Sequence, residues 1–174
     1  MLAPEDQEGF LRCLRDSRRL HRPWAYPPAT PEAFAQLLER QDAPSEAIFL
    51  VRRNEDGVMA GFVQLSQIFL GPFRSAYLGY FGFAPHQGEG YMTEGVRLTL
   101  RYAFRSIRLH RVEANVQPGN ERSIALVLRL GFRFEGFSPR YLKIGGRWRD
   151  HERYALLAEE FVDVRTSRRN RDLA

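Results

Sequence analysis

The residues best suited to chemistry, by type and spacing, are Pro85-His86-Gln87-Gly88-Glu89-Gly90-Tyr91-Met92, set between an aromatic apolar run and a segment of helical periodicity. Glycine at 88 and 90 lets the chain turn tightly with no Cβ in the way. Successive N–H groups, and the positive end of the helix that follows, can then converge on one anionic group. A diphosphate fits such a nest; a plain glycine-rich loop that caps a helix is the other reading. Two rival phosphate motifs fail. No Gly-Lys-Ser/Thr triplet occurs, which argues against a P-loop nucleoside triphosphatase. A dinucleotide fingerprint needs a third glycine where Thr93 stands, and an acid about 20 residues on, where Arg108-Leu109-His110-Arg111 is found. His21, His86, His110 and His151 have no short ligand spacing and no accompanying cysteine pair, so no metal is expected. Cys13 reads as a small core residue of a helix rather than a nucleophile.

The elements that must position this loop follow from the periodicity around it. Residues 4–20 carry Phe10, Leu11 and Leu14 at helical spacing, with acids in the first turn and bases in the last, and predict a first helix. Pro23, Pro27 and Pro28 make 21–29 an aromatic loop around Trp24 and Tyr26. Thr30-Pro31-Glu32 caps and opens a second helix that should run to about Arg40. Residues 47–53 and 58–70 read as a hairpin about the turn Asn54-Glu55-Asp56-Gly57, with 77–84 as a third, antiparallel strand. After the loop, Met92, Val96, Leu100, Ala103 and Ile107 form an apolar helical stripe. Residues 110–117 alternate strictly, with Val112, Ala114 and Val116 on one face and Arg111, Glu113, Asn115 and Gln117 on the other. Asn120 can cap a helix that stops at Gly131, and 132–144 with 147–157 read as a closing hairpin.

Composition bounds the class. A chain of 174 residues suits one domain and one core, and its 13 Phe, 7 Tyr and 2 Trp exclude a disordered polypeptide. No uncharged apolar run approaches the roughly 18 to 20 residues that span a bilayer, so no membrane role is expected. The single cysteine and the lack of a leader pattern at the start point to the cytoplasm. The net charge of +5 allows nucleotide, nucleic acid or acidic protein partners. Residues 161–174 are polar, basic and aperiodic and read as a flexible tail behind a domain spanning 1–160.

Gln87-Gly88-Glu89-Gly90-Tyr91-Met92 resembles the Q/R-x-x-G-x-G/A cofactor loop of the GNAT superfamily of N-acetyltransferases, except that Met92 stands where a small residue is usual. The likeness extends from about residue 4 to 160. It is greatest to the RimJ/RimL group of ribosomal-protein N-acetyltransferases, through His21-Arg22-Pro23-Trp24, Tyr77-Leu78-Gly79-Tyr80, Asn120-Glu121-Arg122-Ser123, Leu130-Gly131-Phe132, Glu135-Gly136 and Gly146-Arg147-Trp148-Arg149-Asp150-His151. The resemblance implies an α/β (α+β) fold: a mixed, mainly antiparallel twisted sheet, splayed between its central strands, with helices on both faces. The family opens with a strand, whereas here a helix signal starts at residue 4; either that edge strand is missing or the helix begins later.

The resemblance further implies direct transfer of acetyl from acetyl-CoA to a primary amine, with no metal and no acyl-enzyme. On that basis Gln87, Gly88, Glu89, Gly90, Tyr91 and Met92 bind the cofactor's diphosphate. Backbone groups of Phe81, Gly82 and Phe83 hold its pantetheine arm, which gives Gly82 a reason to lack a side chain; a simple bulge is the alternative. Met92 should point into the helix core while its N–H serves the phosphate. Asn120 contacts the cofactor and Ser123 approaches the sulfur as acid, against an N-cap and an ordinary first-turn serine. Glu113 is the candidate base through water, against an ion pair with Arg111 or Arg133. Tyr141 is a second candidate acid. Trp24 and Tyr26 could wall the acceptor site or simply pack over the first helices.

For the acceptor, proton energetics favour an α-amine, with a reference pKa of about 7.7 to 8.0, over a lysine at about 10.4, because neutralising the lysine costs roughly 3.5 kcal/mol more. A ribosomal protein N-terminus is the leading expectation. A small amine such as a polyamine or an aminoglycoside-like compound is the alternative, and a non-catalytic protein that binds the ribosome or its RNA is a third. Arg97, Arg101, Arg105 and Arg108 form a basic stripe, read as a solvated face or as a contact for RNA or coenzyme A phosphate, and Arg165, Arg168, Arg169 and Arg171 add to it. Monomer and homodimer both remain open.

Overall fold

The computed structural model describes residues 1–163; the basic segment 164–174, with its four arginines, lies outside them. A 3-10 turn at Pro4–Asp6 leads into α1 (Gln7–Asp16), α2 (Arg18–His21) and α3 (Pro31–Gln41). The strands β1 (Ala47–Arg52), β2 (Met59–Phe69) and β3 (Ser75–Gly82) follow, then α4 (Tyr91–Arg101) with a π-turn at Tyr102–Ser106, β4 (Arg111–Val116), α5 (Glu121–Arg129), β5 (Arg133–Ile144) and β6 (Arg147–Leu157). They form one six-stranded sheet in the order β1-β2-β3-β4-β6-β5. All neighbours are antiparallel except β3 and β4.

The period-2 patterns divide the core between the two faces of the sheet. Phe10, Leu14 and Phe34 from α1 and α3 pack on Ile48, Phe62 and Phe83. On the other face Val96, Leu100 and Val127 from α4 and α5 pack on Val63, Leu65, Val112 and Leu156. Strand β4 meets its expectation closely: Val112, Ala114 and Val116 are buried and the residues between them are half-buried.

Three features depart from the periodicity. The first helix breaks at Ser17, which is fully buried, because that residue serves the sheet: its Oγ accepts the Ala84 N–H at 3.0 Å. One turn on, His21 Nε2 donates to the Gly82 carbonyl at 2.8 Å, so both sides of the break fasten to the end of β3. Among the described residues no strand precedes the first helix. Leu2 is held instead by one side chain, donating to Gln41 Oε1 at 2.7 Å and accepting from Gln41 Nε2 at 3.1 Å. The apolar stripe of the central helix persists through the π-turn, where Ile107 N–H reaches back to the Tyr102 carbonyl at 3.2 Å.

Helix α4 is brought unusually near the sheet by glycine. A Cβ built on Gly95 would lie 2.4 Å from Cγ2 of Val51, inside any tolerable contact. Alanine is the better helix former by about 1 kcal/mol, but overpacking against a stiff β-branched side chain costs about 1–3 kcal/mol. We expect Gly95→Ala to lower the urea midpoint, and Val51→Ala in the same chain to recover most of the loss. Additive effects of the two substitutions would remove this contact as the cause.

Candidate active site

The splay begins where β3 and β4 stop pairing. They are hydrogen-bonded only over Ser75↔Arg111, Ala76↔Val112 and Tyr77↔Glu113, after which β4 stays with β6 as far as Val116↔Glu152. Beyond Tyr77 the facing edges of β3 and β4 separate, and a cavity of about 270 Å³ opens there, lined among others by Trp24, Tyr80, Asn115, Asn120, Ser123 and His151.

Strand β3 runs out of this cavity into the glycine loop. Gly88 and Gly90 have φ of 88° and 89°, the left-handed region that glycine enters without strain, and a Cβ at either would meet nothing within 4 Å. Gly90 is the N-cap of α4 and has no side chain to cap it. The first helical bond is Glu94 N–H to the Gly90 carbonyl at 3.1 Å, so the amides of Tyr91, Met92 and Thr93 have no acceptor inside the helix. The loop that the sequence pointed to is therefore an open, donor-rich helix terminus. His86 and Glu89 face each other across it at 3.6 Å, with Arg53 Nη1 on the other side of His86 Nδ1 at 3.3 Å.

The Met92 side chain points into the core beneath α4 and lies on the sheet: the sulfur would sit 2.1 Å from a Cβ on Gly61, and its Cγ 3.3 Å from one on Gly82. Two glycines on adjacent strands make the seat for the large residue, and this accounts for Gly82 without invoking a ligand.

Phe81 lines the cavity, but the peptide groups of Phe81 and Phe83 are directed at β2. Phe83 is fully buried and its N–H donates to the Ala60 carbonyl at 2.8 Å. In an antiparallel ladder alternate residues bond to the same neighbour, so Phe81 faces β2 as well, paired with Phe62 and stacked on it at 4.8 Å. The residues of β3 whose peptide groups face the splay are Tyr80 and Gly82, and the Gly82 carbonyl is held by His21.

Across the splay, Asn120 Oδ1 accepts the Ser123 N–H at 3.3 Å, so Asn120 is an N-cap and also lines the cavity. Ser123 Oγ lies 2.6 Å from the Tyr80 hydroxyl, which is also 3.2 Å from the Ser123 carbonyl. Burial pushes Tyr80 up to about 12, the bond to Ser123 opposing it. Tyr80 and Ser123 thus form a hydroxyl pair between β3 and α5.

Glu113 and Tyr141 do not join this group, and neither lines the cavity. Of the two readings of Glu113 the ion pair is the one present: Arg111 Nε donates to it at 2.8 Å while the same guanidinium grips Glu135, which is held below the usual carboxylate range by that contact. Tyr141 shares a hydrogen bond with Tyr77, and this contact first, then burial, pushes Tyr77 up to about 12. Both candidates sit at the closed end of the splay.

Trp24 lines the cavity and its carbonyl accepts from Gln117 Nε2 at 2.7 Å. Tyr26 does not line it; its ring supports the β5–β6 turn, 2.6 Å from where a Gly145 Cβ would be. Arg101 of the basic stripe is engaged by Asp163, with Nη2 at 2.7 Å from Oδ1. Cys13 is half-buried against the α1–α3 core, and burial raises its thiol. Among the described residues no group of three or more His, Cys, Asp or Glu could hold a metal, and no helix is long and apolar enough to cross a membrane.

Residues 1–133 match the acetyltransferase (GNAT) domain family. The chain is a GNAT N-acetyltransferase. This enzyme is 32% identical over 158 residues to the [ribosomal protein uS5]-alanine N-acetyltransferase of Escherichia coli, covering 86% of this chain and 81% of that one. It is 28% identical over 167 residues to the E. coli spermidine N(1)-acetyltransferase, covering 92% and 87%. The solved structure of Mycobacterium smegmatis RimJ in complex with CoA-disulfide superposes with a TM-score of 0.83 at 29% identity, over 91% of this chain and 80% of that one. The acetyltransferase is thus RimJ/RimL-like in sequence and in fold.

Tyr80 and His151 line the cavity of this acetyltransferase; both lie in segments that carry the RimJ/RimL resemblance, Tyr77-Leu78-Gly79-Tyr80 and Gly146-Arg147-Trp148-Arg149-Asp150-His151, but neither was singled out as a site residue. Burial lowers the pKa of both His21 and His151, each only partly offset by a backbone hydrogen bond. The unfolded chain then binds more protons than the folded one below the free histidine value of about 6.5, so stability is complete above it and falls as pH drops toward the folded values. We expect the urea midpoint to decline between about pH 7 and about pH 5, and the slope to shrink in His151→Gln. A midpoint level across that window would contradict the neutral, buried state of these rings.

Proposed function

We propose that this acetyltransferase uses acetyl-CoA to acetylate the N-terminal α-amine of a protein, with a ribosomal protein as the acceptor. The fit of the donor is judged on the chain's own atoms. Gly88 and Gly90 leave open space where side chains would stand, the amides of Tyr91 to Thr93 lack helical acceptors, and the splay turns the Tyr80 peptide group toward the cavity. That donor set suits a diphosphate followed by an extended amide-bearing arm. When bound, acetyl-CoA supplies an activated acetyl thioester. The loop amides at 87–92 would hold its diphosphate, Asn120 would orient the arm beyond the cap it forms, and the Tyr80–Ser123 hydroxyl pair would pass a proton to the departing sulfur.

The acceptor reading rests on one observation: among the described residues no Asp or Glu lines the cavity. A polyamine retains positive charges at its unreacted nitrogens and needs carboxylates near the site, whereas a peptide N-terminus presents one ammonium of modest pKa followed by neutral amides. The 32% identity to an alanine N-acetyltransferase supports the same reading. The spermidine acetyltransferase relative, at 28%, favours a polyamine as the second reading.

Two experiments test this. Labelled acetyl-CoA with ribosomal proteins and N-terminal peptides, beside spermidine and spermine, should label peptide α-amines by mass spectrometry; turnover confined to polyamines would reverse the assignment. Gly90→Asp should weaken acetyl-CoA binding at least about 100-fold by calorimetry, because it sets a carboxylate against a diphosphate, at a fold cost of about 1 kcal/mol for a non-glycine residue at this φ. Unchanged affinity would dissociate the loop from the cofactor.

A further inference from the structure

We infer that Nε2 of His151 is the base that takes the proton from the acceptor amine, a role that rests on the acetyltransferase reading above but not on which amine is the acceptor. Among the described residues that line the cavity, only Tyr80 and His151 carry titrating side chains. Tyr80 is bonded to Ser123 and its pKa is pushed up to about 12, so its hydroxyl keeps its proton near neutral pH and is no base. Glu113, the carboxylate expected to act, is clamped by Arg111 outside the cavity.

The imidazole is set up for the task. His151 is buried, 3% exposed, and its ring packs at 5.8 Å from that of Tyr141. Its Nδ1 lies 3.1 Å from the Arg149 carbonyl oxygen, which can only accept. The ring proton of the neutral tautomer is therefore on Nδ1, and the lone pair is on Nε2, for which no protein donor is present among the described residues. Burial holds the ring neutral near pH 7, ready to accept.

The strands on either side present it with uncharged groups. From β5 it meets Ser138, its register partner, and Tyr141. From β4 the adjoining cavity residues are Asn115 and Gln117, both uncharged, and Asn115 Oδ1 is itself buried without a partner. On its own strand Asp150 pulls its pKa up, against the stronger effect of burial, while Arg149 and Arg153 stand two residues to either side.

The step balances as follows. An ammonium at the acceptor gives one proton to His151 Nε2, which later returns it to water. The freed nitrogen lone pair forms the N–C bond to the acetyl carbon, and the C–S bond breaks with its electron pair left on sulfur. The second proton lost by the nitrogen reaches that sulfur through the Ser123 and Tyr80 hydroxyls. Base and acid enter the cavity from different elements, β6 on one side and the β3/α5 pair on the other.

The test compares the whole wild-type chain with His151→Gln. kcat/KM is measured from about pH 5.5 to about pH 9 on both an N-terminal peptide and spermidine, and acetyl-CoA affinity by calorimetry. Nitrogen-15 NMR of the unliganded wild type supplies a readout independent of turnover, with the His151 resonances identified by their absence from the variant. We expect a loss of roughly 100-fold or more near pH 7, disappearance of an acid limb below about 6.5, and unchanged acetyl-CoA affinity. The NMR should show an unprotonated Nε2 near neutral pH, titrating below about 6.5. A rate within about threefold of wild type with the same pH profile, or a ring whose proton sits on Nε2, overturns the assignment. The wild type's choice between peptide and spermidine tests the proposed function separately, because the effect of the substitution is read on whichever amine is turned over.

Discussion

Parallel pairing between β3 and β4 lasts for three residues and then ends, and the cavity exists because it ends. Two adjacent strands that separate leave peptide groups without partners, a cost that a sheet ordinarily avoids. Here the separation is enforced from both sides. Strand β4 is committed to β6 along its whole length. Strand β3 is committed to β2 on one edge and, at its far end, to Ser17 and His21 of the first helical segment. What remains between them is bridged by side chains rather than backbone, chiefly the Tyr80–Ser123 contact. The Tyr80–Ser123 hydroxyl pair and the His151 imidazole border that one opening, and β3 leads from it to the uncapped amides of α4.

Close approach by glycine fixes the helix that follows the loop. Gly95 admits Val51, and Gly61 with Gly82 admits Met92, so α4 is keyed to β1, β2 and β3 by three missing side chains. The keying determines where the start of α4, and with it the uncapped amides, is aimed. A family departure at position 92 thus becomes intelligible as a matched set: a large residue on the helix and two absent ones beneath it.

Local chemistry made much of this readable in advance. The loop was legible because tight turning and anion contact need glycine at particular steps, and β4 because its alternation is strict. Helix α5 was legible because Asn120 and Gly131 mark its two ends. What stayed hidden depends on strands remote in the chain. Nothing near residue 17 says that Ser17 must reach Ala84, and a helical reading runs straight through it. The placement of β6 between β4 and β5, which brings His151 beside Gln117 and Asn115, cannot be read from a hairpin signal alone. Glu113 was assigned from its face of the strand; its capture by Arg111, two residues away on the same face, was the alternative that periodicity could not decide.

The turn joining β5 and β6 is two glycines, Gly145 and Gly146, both at positive φ, and the first leans on the ring of Tyr26. This contact joins chain segments remote from each other in sequence, and neither belongs to the glycine loop before α4. On the function proposed above, such a molecule has two separable halves: a fixed socket for a universal acyl carrier, and a vestibule free to be re-cut. Changes in the length or bulk of that vestibule would re-select the incoming amine while leaving the socket untouched, which is a physical route by which one scaffold comes to serve acceptors as unlike as a protein terminus and a polyamine.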